Sequence, residues 1–256
     1  MTRSGIICGA AVAGAFGMCT ALTSPAIAGG DLVGEPAYRG VIVSGGDVTQ
    51  NAHEGYLGYY GAFNGDLSRE GWIFRLYGTR GSYEYGDGSN SGDWWQGDVM
   101  VGYQWVRGRL DIGVYAGIDH QNFGLANPDP LNELRGSETG FKVALDIESN
   151  GRDNSPWYFA LIGSYSTAFD TYYGLARVGY NFGRFTIGPE AWVLGDVSGD
   201  AQRLGGFISF DLPLGGRSFG SLTFSVGHQF GDEVVSSKGF DDGVYGTVGL
   251  RVPLGR

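Results

Sequence analysis

The chain has 256 residues, of which 48 are Gly, 15 Tyr, 15 Phe and 6 Trp. A helical domain does not tolerate this much glycine, and no apolar run is long enough for a membrane-spanning helix. The formal net charge of −10 leaves no basic patch and argues against nucleic acid as a partner.

The first 28 residues are typical of a cleaved signal peptide. Arg3 precedes a run of small apolar residues, and the sequence AIA at 26–28 has the small-x-small pattern of a signal-peptidase site. The alternative, a transmembrane anchor, is less favoured because the run is shorter than the about 20 residues that a span needs. Both cysteines would leave with the signal, so residues 29–256 are predicted to form a domain without disulfides or cysteine-bound metal.

Twelve segments of alternating apolar and polar residues follow, each about as long as a strand of an outer-membrane barrel. They lie at 39–46, 53–63, 70–80, 94–106, 109–119, 137–149, 155–166, 169–181, 184–194, 200–212, 218–229 and 240–252. In the fifth, "LDIGVYAGID", one parity is apolar and suits lipid, while the other carries polar or small residues and suits water. We therefore predict an all-β fold, an antiparallel transmembrane β-barrel of the outer-membrane type with about 12 strands, or 10 as the alternative.

A soluble sandwich also alternates, and the lengths of the connections separate the two folds. Long polar gaps follow the third, fifth and eleventh segments, namely "GSYEYGDGSNSGD", the gap containing "NPDP", and "GDEVVSSKG". Short turns follow the even-numbered segments, which is the pattern of a barrel with periplasmic turns and outside loops.

Two features do not fit the pattern of an outer-membrane barrel. Pro189 lies inside the ninth segment, where we expect a bulge or an early strand start. The sequence also does not end on the terminal aromatic residue common in such barrels.

Several stretches resemble the cellulose biosynthesis protein BcsS family of secreted alphaproteobacterial proteins. They are "NPDPLNELRGSETGFKVALDIE", "YYGLARVGYNFGRFTIGPEAWVLG", "QRLGGFISFDLPLG" and "GVYGTVGL", which occur in the expected order over nearly all of the predicted mature chain. The resemblance implies an outer-membrane-associated component of bacterial cellulose production. It implies no catalytic residue, cofactor or metal.

Charged residues on the predicted inward parity are the first candidate site, because a charge within a lipid-embedded strand must face water or another charge. These residues are Arg75, Asp98, Asp111, Lys142, Asp146, Glu148, Arg177, Glu190, Arg203, Asp211 and Arg251. They indicate a salt-bridged, closed lumen or, alternatively, a small conducting pore. Asp146 and Glu148 could also be a glycosidase carboxylate pair, but they share one strand face beside basic residues.

The loop between the fifth and sixth segments is the second candidate, a surface for glucan or a partner protein. Its candidate contact residues are Asn127, Pro128, Asp129, Pro130 and Asn132. Prolines are harmless in a loop because no ladder partner awaits their missing N–H groups.

Histidines and aromatic residues near the strand ends leave further alternatives open. His53, His120 and His228 fall near the loop rim, where they suit a metal site, a lipid-facing Ser/His hydrolase or an ordinary membrane interface. No GxSxG motif and no metal-spaced His pair is present, which favours the interface.

Aromatic residues near the strand ends indicate an interfacial girdle or, alternatively, platforms on which glucan rings stack. They include Trp72, Trp94-Trp95, Trp157-Tyr158 and Tyr172-Tyr173.

We therefore predict a non-catalytic accessory of cellulose biosynthesis or export in the outer membrane of a Gram-negative bacterium. Its expected partners are outer-membrane lipid and a cellulose or glucan chain or the cellulose secretion machinery, without a cofactor. A small general porin and a barrel enzyme acting on lipid or glycan are the competing hypotheses.

Overall fold

A computed structural model describes residues 38–85, 90–130, 132–150, 155–213, 219–231 and 242–255. The predicted signal peptide, 1–28, lies outside these ranges. Twelve strands are present in them: β1 Gly40–Val48, β2 Ala52–Ala62, β3 Gly71–Tyr85, β4 Asn90–Arg107, β5 Leu110–Leu125, β6 Gly136–Ser149, β7 Trp157–Ser166, β8 Tyr172–Asn181, β9 Phe185–Asp196, β10 Gly199–Pro213, β11 Phe219–Gly231 and β12 Gly243–Leu254. One short 3-10 turn, Ala168–Asp170, joins β7 to β8.

The strands form one closed antiparallel barrel. Each strand pairs with its neighbours in the chain, and β1 closes the sheet by pairing with β12 from Gly40↔Leu254 to Val48↔Gly246. The prediction of an antiparallel barrel of about twelve strands is confirmed, and the ten-stranded alternative is wrong. No helix among the described residues is long and apolar enough to cross a membrane.

The alternating sequence places apolar side chains outside and polar or aromatic ones inside. In β4, Val99 is 61% and Val101 46% exposed, whereas Met100 between them is fully buried. The same parity exposes Phe141, Val143 and Leu145 on β6. Because successive strand residues face opposite sides, this pattern makes an apolar outer band around a lumen filled by side chains.

The two ends of the barrel are named by their connections. The turn end is where β1 begins and β12 ends, and it carries the connections 63–70, 108–109, 150–156, 182–184 and 214–218. The loop end carries the connections 49–51, 86–89, 126–135, 167–171, 197–198 and 232–242. The contrast in connection length is smaller than the sequence suggests, because the strands extend further at the loop end.

The long gap predicted after the third strand is mostly strand. β3 continues to Tyr85 and β4 begins at Asn90, so the connection shrinks from the predicted 81–93 to 86–89. Backbone pairing holds these extensions together although their outward residues are not apolar, and the Tyr83 ring lies across Gly92 inside the barrel. β5 similarly runs to Leu125, six residues beyond its predicted end.

The bulge expected at Pro189 is absent. The β8–β9 register is the same on both sides of this residue, from Arg177↔Glu190 to Tyr180↔Ile187, and β9 starts at Phe185. The β9–β10 ladder continues through Gly206↔Pro189. Instead, the β8–β9 pairing is interrupted for two residue pairs next to Pro189, which has no N–H to donate. This interruption costs less free energy than a shift in the register of a closed sheet.

The 63–70 connection folds across part of the turn end. Leu67 is buried there, and its backbone N–H donates to the Tyr38 carbonyl at 2.9 Å. The Gln104 amide donates to the Leu67 carbonyl at 2.7 Å. On the exposed side, a hydrogen bond from Arg107 lowers the pKa of Glu70 below its ordinary value.

Candidate functional site

The lumen contains all eleven charged residues that the sequence predicted to face inward. Arg75, Asp98, Lys142, Arg177, Glu190 and Arg203 are each at most 3% exposed. Asp111, Asp146, Glu148, Asp211 and Arg251 are half-buried and lie within five residues of the turn end of their strands. Strand parity places these side chains inside, so the interior carries charged residues both near the turn end and deeper along the strands.

The first ionic cluster bridges three strands. The Asp98 carboxylate on β4 accepts from Arg75 Nη2 on β3 at 3.0 Å and from Lys142 Nζ on β6 at 2.8 Å. Arg75 also donates from a second nitrogen, Nε, to the Asp98 carboxylate at 3.2 Å. Two cations therefore share one carboxylate that is itself removed from solvent.

The second ionic cluster crosses the lumen. Glu190 on β9 accepts from Arg177 at 2.6 Å, from the Tyr245 hydroxyl at 2.7 Å and from the Ser225 hydroxyl at 3.0 Å. Arg177 also donates to Ser225 at 2.9 Å, and its guanidinium carbon lies 4.7 Å from the centroid of the Phe207 ring. Residues from β8, β9, β11 and β12 thus meet in one network inside the lumen.

A third cluster joins β10 to β1. Arg203 is fully buried, lies 2.5 Å from the Asp47 carboxylate and donates to the Gln229 amide oxygen at 2.9 Å. Its guanidinium stacks over the Tyr245 ring at 4.7 Å. The Tyr245 ring fits because Gly205 and Gly227 lie beneath it, and a Cβ at Gly227 would come within 2.7 Å of the ring.

A polar network lies nearer the loop end. Asp119 accepts from Gln96 at 3.0 Å, from Gln121 at 2.8 Å and from the Ser166 hydroxyl at 2.5 Å. Gln121 also donates to the Thr171 hydroxyl at 2.8 Å. This network connects the β4–β5 wall to the turn between β7 and β8.

An apolar cluster, here called the cap, closes the lumen at the loop end. Its buried members are Tyr83, Trp94, Phe123, Leu134 and Phe169. Phe169 sits on the turn between β7 and β8 with a left-handed φ of 50°, and its ring meets the Phe123 ring edge-on at 5.0 Å. Leu134 comes from the β5–β6 loop and is fully buried. Two connections therefore fold inward over the lumen instead of extending into solvent.

The loop candidates separate into two groups. Asn127, Pro128 and Pro130 are exposed, and Asp129 is half-buried. Asn132 is only 3% exposed and accepts from the Leu134 N–H at 2.9 Å, so it shapes the turn that inserts Leu134 into the cap. The structure therefore leaves four of the five residues on the surface and removes Asn132 from it.

Three of the half-buried acids, Asp111, Asp146 and Glu148, line a cavity of about 70 Å³ at the turn end. Its lining residues are Tyr38, Val41, Val43, Tyr60, Leu67, Gln104, Asp111, Gly113, Tyr115, Asp146, Glu148 and Arg251. Glu148 accepts from the Tyr158 hydroxyl at 2.9 Å and lies 3.9 Å from Arg251. Asp211 is inward at the same end but does not line this cavity.

The sequence did not single out Asp47, Gln96, Asp119, Ser225, Gln229 and Tyr245 as candidate site residues, although the alternation places Asp119, Ser225 and Tyr245 on the water-facing parity. Asp119 shares the parity of Asp111, so the alternation already contained the signal. Asp47 was missed because the first strand was predicted to end one residue before it. The contacts that cross the lumen have no signal in one sequence, since they depend on which distant strands face each other.

The three histidines lie on the outer surface near the loop end. His53 Nε2 is 3.1 Å from the Ser82 hydroxyl, His120 bonds the Thr139 hydroxyl at 2.7 Å and contacts the Trp95 ring, and His228 contacts Phe230. The register pairs Ser82 with His53 on one side and with Asp93 on the other, so the serine lies between the histidine and the acid. A hydrolytic triad needs the histidine in the middle. Among the described residues, no group of three or more His, Cys, Asp or Glu side chains could hold a metal ion.

The aromatic pairs of the sequence are divided between the two faces. Trp72, Trp95 and Trp157 point outward, whereas Trp94 and Tyr158 are buried inside. Outward rings form chains of contacts near the turn end, such as Trp72 with Tyr103 at 5.6 Å and Tyr180 with Phe182 at 4.9 Å. These chains are typical of an interfacial girdle, to which the buried Trp94 and Tyr158 do not belong.

Comparison with known proteins gives one family and a set of barrel folds. The family model "Cellulose biosynthesis protein BcsS" matches residues 41–254. The translocator domain of the autotransporter NalP from Neisseria meningitidis is similar with a TM-score of 0.50 and 12% identity, covering 87% of this chain and 90% of that one. A KdgM porin has a TM-score of 0.45 and 12% identity, covering 84% and 99%. No curated protein sequence matches the chain.

Proposed function

This chain belongs to the cellulose biosynthesis protein BcsS family, and we propose that it is a non-catalytic outer-membrane accessory of cellulose production or export. In this proposal the signal peptide 1–28 is removed during export and the loop end faces outside the cell. The protein would act on the cellulose that leaves the cell, or on the machinery that secretes it, and not on the cytoplasmic polymerisation reaction.

The packed lumen supports an accessory role over that of a porin or an enzyme. Arg177, Arg203, Lys142 and their acidic partners are nearly inaccessible to water, and the cap covers them at the loop end. A diffusion porin keeps a continuous water-filled channel, whereas side chains that bond across the lumen fill its cross-section. On the outer surface, the acid that the register places beside the Ser82–His53 contact is Asp93, which is next to the serine and not the histidine, and this argues against the lipid hydrolase.

Deleting the gene tests the cellulose role. We expect the deletion strain to carry less cell-surface cellulose, or cellulose that washes off more easily, while inner-membrane vesicles keep their synthase activity. Restoration by the intact gene is the control. Unchanged surface cellulose, or a loss of synthase activity in the vesicles, would contradict the proposal.

A conductance measurement separates the accessory from the porin. The purified protein should form no steady channel in a planar bilayer, since buried ion pairs and the cap close the lumen. A variant lacking cap side chains, Leu134→Ala with Phe169→Ala, should still be closed by the ionic clusters. Steady conductance of the unmodified protein would instead support the small porin.

Orientation is tested by labelling. An epitope inserted after Ala126, at the start of the exposed part of the β5–β6 loop, should be reached by antibody on intact cells. An epitope in the β6–β7 turn should be reached only after the outer membrane is opened. The reverse pattern would place the loop end in the periplasm.

The β5–β6 loop is the surface that we expect to contact glucan or a partner. Its exposed residues Asn127, Pro128 and Pro130 are held by a hydrogen bond from Asn127 to Asn90 at 3.3 Å and by the buried turn at Asn132. A stiff surface loses little conformational entropy on binding. Replacing 127–130 with Gly-Ser-Gly-Ser should reproduce part of the deletion phenotype while the protein still folds, because Leu134 remains in the cap.

A further inference from the structure

We propose that the turn-end cavity is a binding pocket for one end of a neutral β-glucan chain, taking a pyranose ring between its tyrosines and carboxylates. This inference rests on the proposed role in cellulose production for the identity of the sugar. The existence and chemistry of the pocket rest on the structure alone.

The size of the cavity suits a small polar ligand. Its volume of about 70 Å³ is several times the roughly 10–15 Å³ that one water molecule needs by the same measure. A handful of waters is what a single sugar ring and its hydroxyl groups would displace. The pocket therefore accepts a chain end, and a larger oligomer must extend from it into the space beyond the turn end.

The residues on the inner side of the cavity favour a chain end over a chain passing through. Its inner wall is formed by Tyr60 and Tyr115, and Arg75 lies behind them with its guanidinium 5.7 Å from the Tyr115 ring. Arg75 belongs to the ionic cluster with Asp98 that bridges three strands. A glucan could not continue past this layer without breaking buried ion pairs.

Aromatic rings supply the apolar contacts. Tyr38, Tyr60 and Tyr115 all line the cavity, and the Tyr60 and Tyr115 rings meet edge-on at 6.1 Å, so they stand at an angle to each other. The apolar C–H face of a glucose ring packs on such rings, while each phenol hydroxyl offers a polar contact at its edge.

Charge distinguishes neutral sugars from acidic ones. Three carboxylates, Asp111, Asp146 and Glu148, line the cavity against the single guanidinium of Arg251. The excess of negative charge repels phosphates and uronates. Sugar hydroxyls donate hydrogen bonds to carboxylates, and these charge-assisted bonds are stronger than bonds between neutral groups.

The test is binding of cellotetraose to the purified, folded barrel in detergent, measured by titration calorimetry and by saturation-transfer NMR. We expect affinity in about the millimolar to micromolar range, as for a small pocket with few contacts. Asp111→Asn and Glu148→Gln should each weaken binding about tenfold. Asp211→Asn is the matched control, since this acid is inward at the same end but outside the pocket, and its affinity should equal that of the unmodified protein.

Tyr38→Ala keeps the test decisive if a lumen variant fails to fold. Tyr38 precedes the first strand, so its ring can be removed without cutting the barrel ladder, and we expect cellotetraose binding to be lost. The inference would be wrong if Asp111→Asn, Glu148→Gln and Tyr38→Ala all bound cellotetraose with the same affinity as the control Asp211→Asn. It would also be wrong if the unmodified protein did not bind cellotetraose, or if it preferred oligogalacturonate or Ca²⁺. If those results came with reduced surface cellulose in the deletion strain, the proposed function would stand and only this inference would fall.

Discussion

Replacing Glu190 with glutamine tests whether the lumen is dry and closed. Glu190 holds Arg177 at 2.6 Å and also accepts from Tyr245 and Ser225, and Arg177 is only 2% exposed. Glutamine keeps one acceptor oxygen but presents an NH₂ group, a donor, to the guanidinium. The substitution therefore leaves a buried cation without its counter-charge.

The expected cost is about 3–5 kcal/mol of unfolding free energy, the usual penalty for breaking a buried pair from one side. Contacts of Arg177 with the Phe207 and Trp192 rings recover part of it, so the lower half of this range is the better estimate. Urea unfolding of the barrel in lipid vesicles, followed by tryptophan fluorescence, measures the change.

A double variant separates a dry lumen from a wet one. Adding Arg177→Met to Glu190→Gln removes the unpaired charge, so the double variant should be more stable than Glu190→Gln alone. Asp211→Asn, at the half-buried mouth, should cost less than about 1 kcal/mol. A cost below about 1 kcal/mol for Glu190→Gln, with additive effects in the double variant, would mean that water reaches the pair and that the closed-lumen argument is wrong.

Three further outcomes are expected. Asp98→Asn should destabilise the barrel at least as much as Glu190→Gln in the same unfolding assay, because Asp98 serves two buried cations; a smaller effect would contradict the bridging arrangement. Changing His53 to Gln together with Ser82 to Ala should leave surface cellulose unchanged, and a loss equal to the gene deletion would favour a rim enzyme. NMR titration should find the pKa of Glu70 below its ordinary value, and Arg107→Gln should raise that pKa. Because the pKa is lowered in the folded protein, the contact with Arg107 is stabilising at neutral pH, and this stabilisation is lost as the pH falls through the pKa of Glu70. An equal Glu70 pKa in the two proteins would mean that the contact does not form in solution.

The barrel was predictable because its physical cause is local. Alternation at a period of two is set by which residues face lipid, and every predicted segment overlaps a strand of the structure. The strand ends were less predictable where the lipid constraint stops. β3, β4 and β5 continue beyond their apolar stretch. There the sheet is held by backbone pairing, by inward rings such as Tyr83 and Trp94, and by outer polar contacts such as Ser82 with His53.

The inward residues were predictable as a set but not as pairs. Parity assigns Arg177 and Glu190 to the lumen, yet it does not show that Tyr245 joins them from β12, three strands away from β9. The cap was invisible for the same reason. Leu134 and Phe169 lie in connections without strand periodicity, and their burial depends on where the loops fold.

The charged interior also follows from the alternation of the strands. A strand that faces lipid on one side needs apolar residues only at every second position, as at Val99 and Val101 of β4. The polar residues between them must then be satisfied inside the closed barrel. Ion pairs such as Arg203 with Asp47, which join strands far apart in the chain, satisfy them and form only when the barrel has closed. These inward residues therefore fill the finished lumen, and this filling leaves the turn-end cavity and the β5–β6 loop as the surfaces at which a closed barrel can still meet a glucan or a partner protein.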